Sequence, residues 1–158
     1  MNRVFFRAEE VPLPPWTAAA DSFIQSVLDK LGLKNWELSV LFCNNRYIKS
    51  LNAQYRNKDE PTDVLSFPQE ESSFPLGERS PEGHYMAGDI VISLEALEEN
   101  ARHFNVSEDE ELRRLLVHAI LHLSGEDHNG NGAEQPMLET QEKILSRLEE
   151  TWIMEKVL

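Results

Sequence analysis

The segment from residue 118 to 128, which reads HAILHLSGEDH, constrains this chain more than any other stretch. His118 and His122 are four residues apart, so on a helix they project from the same face with Cβ atoms about 5–6 Å apart. Gly125 can adopt the left-handed conformation that ends a helix and turns the chain, which would bring His128 back toward the first two histidines. Three protein ligands leave one open position on a tetrahedral ion, as in catalytic zinc sites. The segment therefore predicts one metal ion per chain, held by His118, His122 and His128.

The identity of the metal and its reaction are less constrained by this spacing. Three neutral imidazoles suit Zn²⁺, and nickel, copper or iron would also accept them. The same His and Gly positions occur in H-E-x-x-H-x-x-G-x-x-H zinc peptidases, but the glutamate that acts as general base there is replaced here by Ala119. A methyl group cannot take a proton from water. A zinc peptidase stays open as an alternative, although it would lack its usual base.

The first two histidines fall on a predicted helix that is apolar on nearly all sides. Ser107 followed by Glu110 is a capping-box pattern for its start. Such a helix is usually central and buried, and a buried imidazole needs a partner. This context favours liganded histidines on a rigid helix. The apolar stripe consists of Leu112, Leu115, Leu116, Ala119, Ile120 and Leu123.

Length and composition predict one soluble domain with a sizeable core. The chain has 158 residues, of which 41% are hydrophobic and 27% charged, as in ordinary globular proteins. We expect no membrane span and no secretory signal, because no long apolar run is present. The single cysteine, Cys43, cannot form an internal disulfide and lies in an apolar run, so we expect it in the core and the protein in the cytoplasm.

The charge distribution leaves one region suited to nucleic acid. A net charge of −13 argues against broad binding to phosphates. The segment from Asn44 to Lys58, however, contains four basic residues and no acidic one. Arginine and tyrosine are residue types that hold phosphates and stack on bases, so this segment is a candidate nucleic-acid-binding surface. The alternative is a solvated helix face that binds no ligand. The basic residues are Arg46, Lys49, Arg56 and Lys58, with Tyr47 and Tyr55 between them.

Hydrophobic periodicity predicts an α+β fold with a small mixed sheet and more helix than strand. In the last helix we expect Met137, Leu138, Ile144, Leu145 and Leu148 to face inward. The predicted elements are a strand or arm in the first fifteen residues, a helix from a Thr17 cap to about Leu31, a strand Trp36–Phe42, a helix capped by Asn44 or Asn45, a strand Val64–Phe67 stopped by Pro68, a flexible loop over 69–85, a strand Gly88–Ser93, a helix Leu94–Phe104 capped by Ser93, the histidine helix, and a last helix from Glu134 to about Met154.

Four blocks of the chain together resemble the bacterial YbeY family. They are the histidine segment, NAQYR at 52–56, PTDVLSFP at 61–68 and GDIVIS at 88–93, in the same order and at the same separations. The resemblance covers most of the chain from about residue 36 onward. It implies a single domain over residues 1–158, with a mixed four-stranded sheet and about five helices around it, and a metal site on a central helix.

The function that this resemblance implies is a metal-dependent, single-strand-directed endoribonuclease. The family acts in the maturation of ribosomal RNA, notably at the 3′ end of the small-subunit RNA, and in ribosome quality control. Ribosomal RNA is therefore the expected substrate, and ribosomal proteins or assembly factors are expected partners. The expected cofactor is Zn²⁺, one per chain.

The resemblance also implies roles for individual residues. Arg56 matches the family's functional arginine near the metal, and there it would donate hydrogen bonds to phosphate oxygens; a structural ion pair is the alternative. Independently of the resemblance, the position of Asp127 directly before His128 predicts that it orients an imidazole, with proton transfer or a cap on the turn as alternatives. Two positions depart from the family pattern: Ala119 and Glu126 stand where Gly and Tyr are common. Glu126 adds a negative charge beside a site that would receive phosphate.

The sequence leaves the general base open among Asp63, Asp89 and Asp127, and Asp63 fits a turn better. It also leaves open whether water or the 2′-hydroxyl of the RNA attacks phosphorus. A further alternative is a ribosome-assembly factor whose zinc is structural, because an acidic surface suits contact with basic ribosomal proteins.

Overall fold

Four strands form one mixed sheet in the computed structural model, which describes residues 1–69, 83–125 and 134–154. The sheet order is β1-β2-β4-β3, so β1 and β3 lie at the edges. β1, β2 and β4 run parallel, and β3 runs antiparallel to β4. The mixed four-stranded sheet expected for this chain is confirmed. The strands are β1 (Arg3–Ala8), β2 (Trp36–Cys43), β3 (Val64–Pro68) and β4 (Tyr85–Ser93).

Five helices pack around this sheet in the described part of the chain, which confirms the α+β class. None of the helices within these ranges is long and apolar enough to cross a membrane. The helices are α1 (Thr17–Lys30), α2 (Asn45–Arg56), α3 (Leu94–Phe104), α4 (Glu108–Leu123) and α5 (Glu134–Arg147).

The predicted side-chain caps hold at three helices and fail at one. Each of the three accepts a backbone N–H three residues on: Asn44 from Tyr47 at 2.9 Å, Ser93 from Ala96 at 3.2 Å and Ser107 from Glu110 at 3.0 Å. The Thr17 cap was wrong, because α1 begins at Thr17 and the residue before it, Trp16, makes no side-chain cap. Instead the Trp16 ring packs edge-on against Phe42 at 5.2 Å. The start of α1 is therefore held by the packing of Trp16 on Phe42 and not by a side-chain cap.

The two faces of the sheet support two separate cores. The larger core contains Val40, Phe42, Ile90 and Ile92 together with buried side chains of α1, α4 and α5. The smaller core, on the other face, contains Leu41, Cys43, Ile48, Leu65, Phe67 and Val91, and α2 covers it. This alternation follows from the two-residue period of a strand. Burial raises the pKa of the Cys43 thiol to about 12, as suits a core residue.

The α4 helix is the central helix, as its all-round apolar sequence predicts. It contacts α1, α3, α5, β3 and β4. Its first turn is acidic, which complements the positive end of the helix dipole. The side chains buried along it include Leu112, Leu116, Val117, Ala119, Ile120 and Leu121.

Gly88 lets β3 and the end of α4 approach β4 closely. Its φ is +143°, a region that side chains rarely adopt. A Cβ at this position would clash with the Phe67 carbonyl oxygen and lie 3.0 Å from Pro68 Cα and 3.1 Å from Leu123 Cδ2. Leu123 directly follows His122 in the chain, so the lack of a side chain at Gly88 leaves room for the histidine-bearing end of α4 to pack on the β3–β4 pair.

Two predicted boundaries are corrected by long-range contacts. β4 begins at Tyr85, within the predicted loop 69–85, because Tyr85 pairs with Trp36 of β2; residues 70–82 of that loop lie outside the described residues. The last helix ends at Arg147 instead of near Met154. Its inward face is confirmed at four of the five positions, but Leu138 is 40% exposed and does not face inward.

A buried ion pair on α4 explains why α5 ends early. Arg113 Nε donates to Asp109 Oδ2 at 2.7 Å, and Arg113 Nη1 donates to the carbonyls of Leu148 and Glu149 at 3.3 and 3.2 Å. The Asp109 Oδ1 atom accepts the N–H groups of Ile153 and Met154 at 2.8 and 2.7 Å. The carbonyls of Leu148 and Glu149 and the N–H groups of Ile153 and Met154 are thus bonded to side chains of α4 instead of continuing a helix.

Candidate metal centre

His118 and His122 lie on one face of α4 with their rings in contact. The ring centroids are 4.6 Å apart, and the two Nε2 atoms are 3.1 Å apart. Two nitrogens bound to one tetrahedral zinc are about 3.3–3.4 Å apart, because each Zn–N bond is about 2.0–2.1 Å. Both imidazoles are half-buried at the end of an otherwise buried helix. The pair therefore fits two ligands of one zinc ion with only a small adjustment.

The chain turns after these histidines as the sequence predicts. α4 ends at Leu123, and Gly125 has a φ of +96°, in the left-handed region. His128, the predicted third ligand, and Asp127, the predicted orienting residue, lie outside the described residues. In the described ranges, no group of three His, Cys, Asp or Glu side chains is arranged to hold a metal ion. The role of His128 as a ligand stays a prediction.

A polar residue of α5 contacts the first histidine, and the sequence reasoning missed it. Gln141 Oε1 lies 2.9 Å from His118 Nδ1. Metal-binding histidines usually hydrogen-bond through their second ring nitrogen in this way. The sequence contained one indication of this role: Gln141 lies four residues after Met137 and four before Leu145, inside the apolar stripe of its helix.

Arg56 ends α2 and reaches the edge strand β3. Its Nη2 donates to the Ser66 carbonyl at 3.0 Å, and its guanidinium carbon lies 5.0 Å from the centre of the Phe67 ring. Nη1 also donates to the Tyr55 carbonyl at 3.4 Å. Arg56 thus contacts the same strand on which α4 packs. Its catalytic role stays a prediction.

The other predicted RNA-binding residues have different surroundings. Arg46 forms an ion pair with Glu10, and Lys49 lies 3.9 Å from Asp59. These acidic partners come from outside the basic segment, so the sequence window did not show them. Lys58 is exposed and, together with Arg56, lines a pocket of about 300 Å³ beside Pro61 and Leu65. The structure therefore brings Lys58 and Arg56 together and places Arg46 and Lys49 in ion pairs on α2.

Two candidates for the general base already accept hydrogen bonds from other groups of the protein. Asp63 Oδ1 accepts the N–H of Val64 at 2.8 Å, and its Oδ2 accepts from Asn100 Nδ2 at 3.0 Å. These contacts support the expected turn role of Asp63. Asp89 accepts a hydrogen bond from the Ser39 hydroxyl.

Known proteins match both the sequence and the fold. The family model described as endoribonuclease YbeY matches residues 5–149. The chain is 54% identical to endoribonuclease YbeY of Treponema denticola over 79% of each chain, and 43% identical to that of Treponema pallidum over 93% of this chain and 90% of the relative. The solution structure of a Thermotoga maritima protein superposes with a TM-score of 0.57 at 25% identity, covering 93% of this chain and 92% of that one. These matches support the resemblance drawn from the four sequence blocks.

Proposed function

This chain belongs to the YbeY endoribonuclease family, and on that premise we propose that it is a zinc-dependent endoribonuclease that matures ribosomal RNA. The observation that carries the metal dependence is the 3.1 Å separation of the Nε2 atoms of His118 and His122. Two adjacent imidazole nitrogens with Gln141 on the far side of one ring have the chemistry of a zinc site.

His118, His122 and His128 are the residues that would hold the ion. When bound, Zn²⁺ would supply Lewis acidity at the scissile phosphodiester and lower the pKa of water toward about 7. Ala119, which occupies the position of the peptidase glutamate, is buried in the core. No proton acceptor stands at that position, which favours phosphodiester over peptide chemistry.

Arg56 supplies positive charge near the cleavage site in this proposal. Its guanidinium would donate to phosphate oxygens and offset the negative charge that develops in the transition state. Lys58, in the same pocket, would add charge for a flanking phosphate. Tyr55 is 49% exposed beside Phe67, so its ring could stack on an unpaired base. This arrangement suits single-stranded RNA, whose bases are open to stacking.

The acidic surface shapes the biological setting that we propose. Because the net charge is −13, the surface outside the Arg56 region repels RNA. The same acidic surface suits contact with basic ribosomal proteins. We therefore infer that the protein acts on ribosomal particles in the cytoplasm, at the 3′ end of the small-subunit RNA and in ribosome quality control, with ribosomal proteins or assembly factors as partners.

Cleavage assays with and without a chelator test this proposal. The purified protein is incubated with a single-stranded RNA that carries the small-subunit 3′ precursor sequence and, separately, with casein. We expect RNA cleavage that the chelator abolishes and added zinc restores, and no cleavage of casein. Chelator-sensitive proteolysis without RNA cleavage would overturn the proposal in favour of a peptidase.

A matched pair of histidine variants separates a catalytic from a structural metal. His118→Ala removes a proposed ligand, whereas His103→Ala removes an exposed histidine of α3. We expect His118→Ala to abolish RNA cleavage and to fail to restore rRNA maturation in a strain that lacks the protein, while His103→Ala behaves as wild type. A folded His118→Ala protein that restores maturation would show that the metal is not catalytic.

A further inference from the structure

Gln141 is a buried polar residue on an otherwise apolar helix face. It is 5% exposed and lies among the inward side chains Met137, Ile144 and Leu145 of α5. Burying an amide without hydrogen-bond partners costs folding free energy, so buried amides in folded proteins are nearly always hydrogen-bonded. The contacts of Gln141 therefore indicate what the residue does.

The neighbours of Gln141 fix the orientation of its amide. Gln141 Nε2 donates to Glu142 Oε2 at 3.3 Å. A carboxylate only accepts hydrogen bonds, so the NH₂ end of the amide must face Glu142. Arg114 Nη1 donates to the same Glu142 oxygen in an ion pair, which holds the carboxylate in place. The carbonyl end of Gln141 is thus directed at His118.

This orientation determines which nitrogen of His118 carries the proton. Gln141 Oε1 is an acceptor 2.9 Å from His118 Nδ1, so Nδ1 must donate. A neutral imidazole carries one ring proton, and its other nitrogen then carries a lone electron pair that can accept a proton or a metal ion. In His118 that atom is Nε2, which faces His122 Nε2. Only this tautomer presents Nε2 to a metal ion.

We propose that Gln141 is a positioning residue that holds His118 in the Nδ1–H tautomer, and that Arg114 and Glu142 hold Gln141 in turn. The inference rests on the proposed metal centre and adds to it a contact from a second helix. Hydrogen bonds of this kind orient the ligand ring and raise its basicity, and their loss typically weakens metal affinity by about 10- to 100-fold.

Zinc affinity, measured by competition with a chromophoric chelator, tests the inference without RNA. Gln141→Met keeps the size of the side chain and removes the acceptor, whereas Gln141→Glu keeps an acceptor oxygen. Glu139→Met introduces the same methionine at an exposed position of α5 and serves as the control. We expect Gln141→Met to bind zinc about 10- to 100-fold more weakly, and Gln141→Glu and Glu139→Met to stay near wild type. A Gln141→Met protein with wild-type affinity would overturn the inference.

The ring ¹⁵N chemical shifts of His118 in the metal-free protein give a second, independent readout. We expect the Nδ1–H tautomer to dominate in wild type and a mixture of tautomers in Gln141→Met. Without metal, Gln141→Met and Gln141→Glu should have the same Tm, so that the difference between them is not a difference in folding. A dominant Nε2–H tautomer in the wild type would refute the inference. If the wild type binds no zinc, the proposed metal centre fails, while the tautomer of His118 still decides the role of Gln141.

Discussion

Replacing Arg56 by alanine separates a role in cleavage from a role in folding. In the structure the Arg56 side chain donates one hydrogen bond of 3.0 Å to the Ser66 carbonyl and a longer one to the Tyr55 carbonyl. Its guanidinium also stacks on the Phe67 ring. One hydrogen bond contributes about 0.5–1.5 kcal/mol to stability and an exposed cation–π contact about 0.5–1 kcal/mol. The variant should therefore lose about 1–2.5 kcal/mol, which lowers Tm by about 2–10 °C in a domain of this size.

The expected loss of activity is larger than this loss of stability can explain. Removal of one donor that stabilises transition-state charge lowers kcat by about 10²–10³-fold, or about 2.7–4 kcal/mol. A domain stable by about 5–15 kcal/mol stays folded at 25 °C after losing 2.5 kcal/mol. Arg56→Lys should recover only part of the rate, because an ammonium lacks the planar fork of a guanidinium.

The assay is kcat/KM on a short single-stranded RNA at 25 °C, with Tm measured on the same samples. Arg102→Ala serves as the control, because Arg102 is an exposed arginine that pairs with Glu98 one turn away on α3. It should keep the wild-type rate. Wild-type cleavage by Arg56→Ala, or a loss that appears only at temperatures where the variant unfolds, would refute the catalytic reasoning and leave a structural arginine.

Three further substitutions test how the fold supports the site. Arg113→Met leaves Asp109 buried without its cation, so it should cost about 3–5 kcal/mol and lower Tm by about 6–20 °C in thermal unfolding; an unchanged Tm would contradict this. Gly88→Ala would strain a positive φ and press a methyl group against the Phe67 carbonyl, so its urea midpoint should fall, and an unaltered midpoint would count against the close approach. Burial, together with the negative charge of nearby Asp63, raises the pKa of Glu111 in the folded protein above its value in the unfolded chain. Protonated Glu111 therefore stabilises the fold at low pH, and this stabilisation is lost as pH rises through the folded pKa. Glu111→Gln should therefore be more stable than wild type at about pH 8 and lose that advantage at about pH 4, whereas an equal difference at both pH values would be inconsistent with this sign.

The parts of the site that follow local periodicity were predictable from the sequence. The spacing of His118 and His122 places them on one face of a helix, and the left-handed Gly125 follows from its place after the last helical turn. The caps at Asn44, Ser93 and Ser107 are also local, because each bonds a residue three positions on.

The parts that depend on tertiary contacts were not predictable. Gln141 meets His118 only because α5 packs on α4, and a single sequence does not give that packing. The early end of α5 depends on the Arg113 guanidinium, which lies 35 residues before Leu148. Likewise, the acidic partner of Arg46 is Glu10 of the N-terminal segment, beyond the reach of a local charge pattern.

Titration of the metal-free protein with Zn²⁺, while RNA cleavage is followed, tests the central claim most directly. We expect cleavage to rise in proportion to bound zinc and to level off at one zinc per chain, and we expect His118→Ala to show neither tight binding nor cleavage. Cleavage that is already complete in the metal-free protein, or that does not depend on zinc occupancy, would contradict a catalytic zinc centre built on His118 and His122.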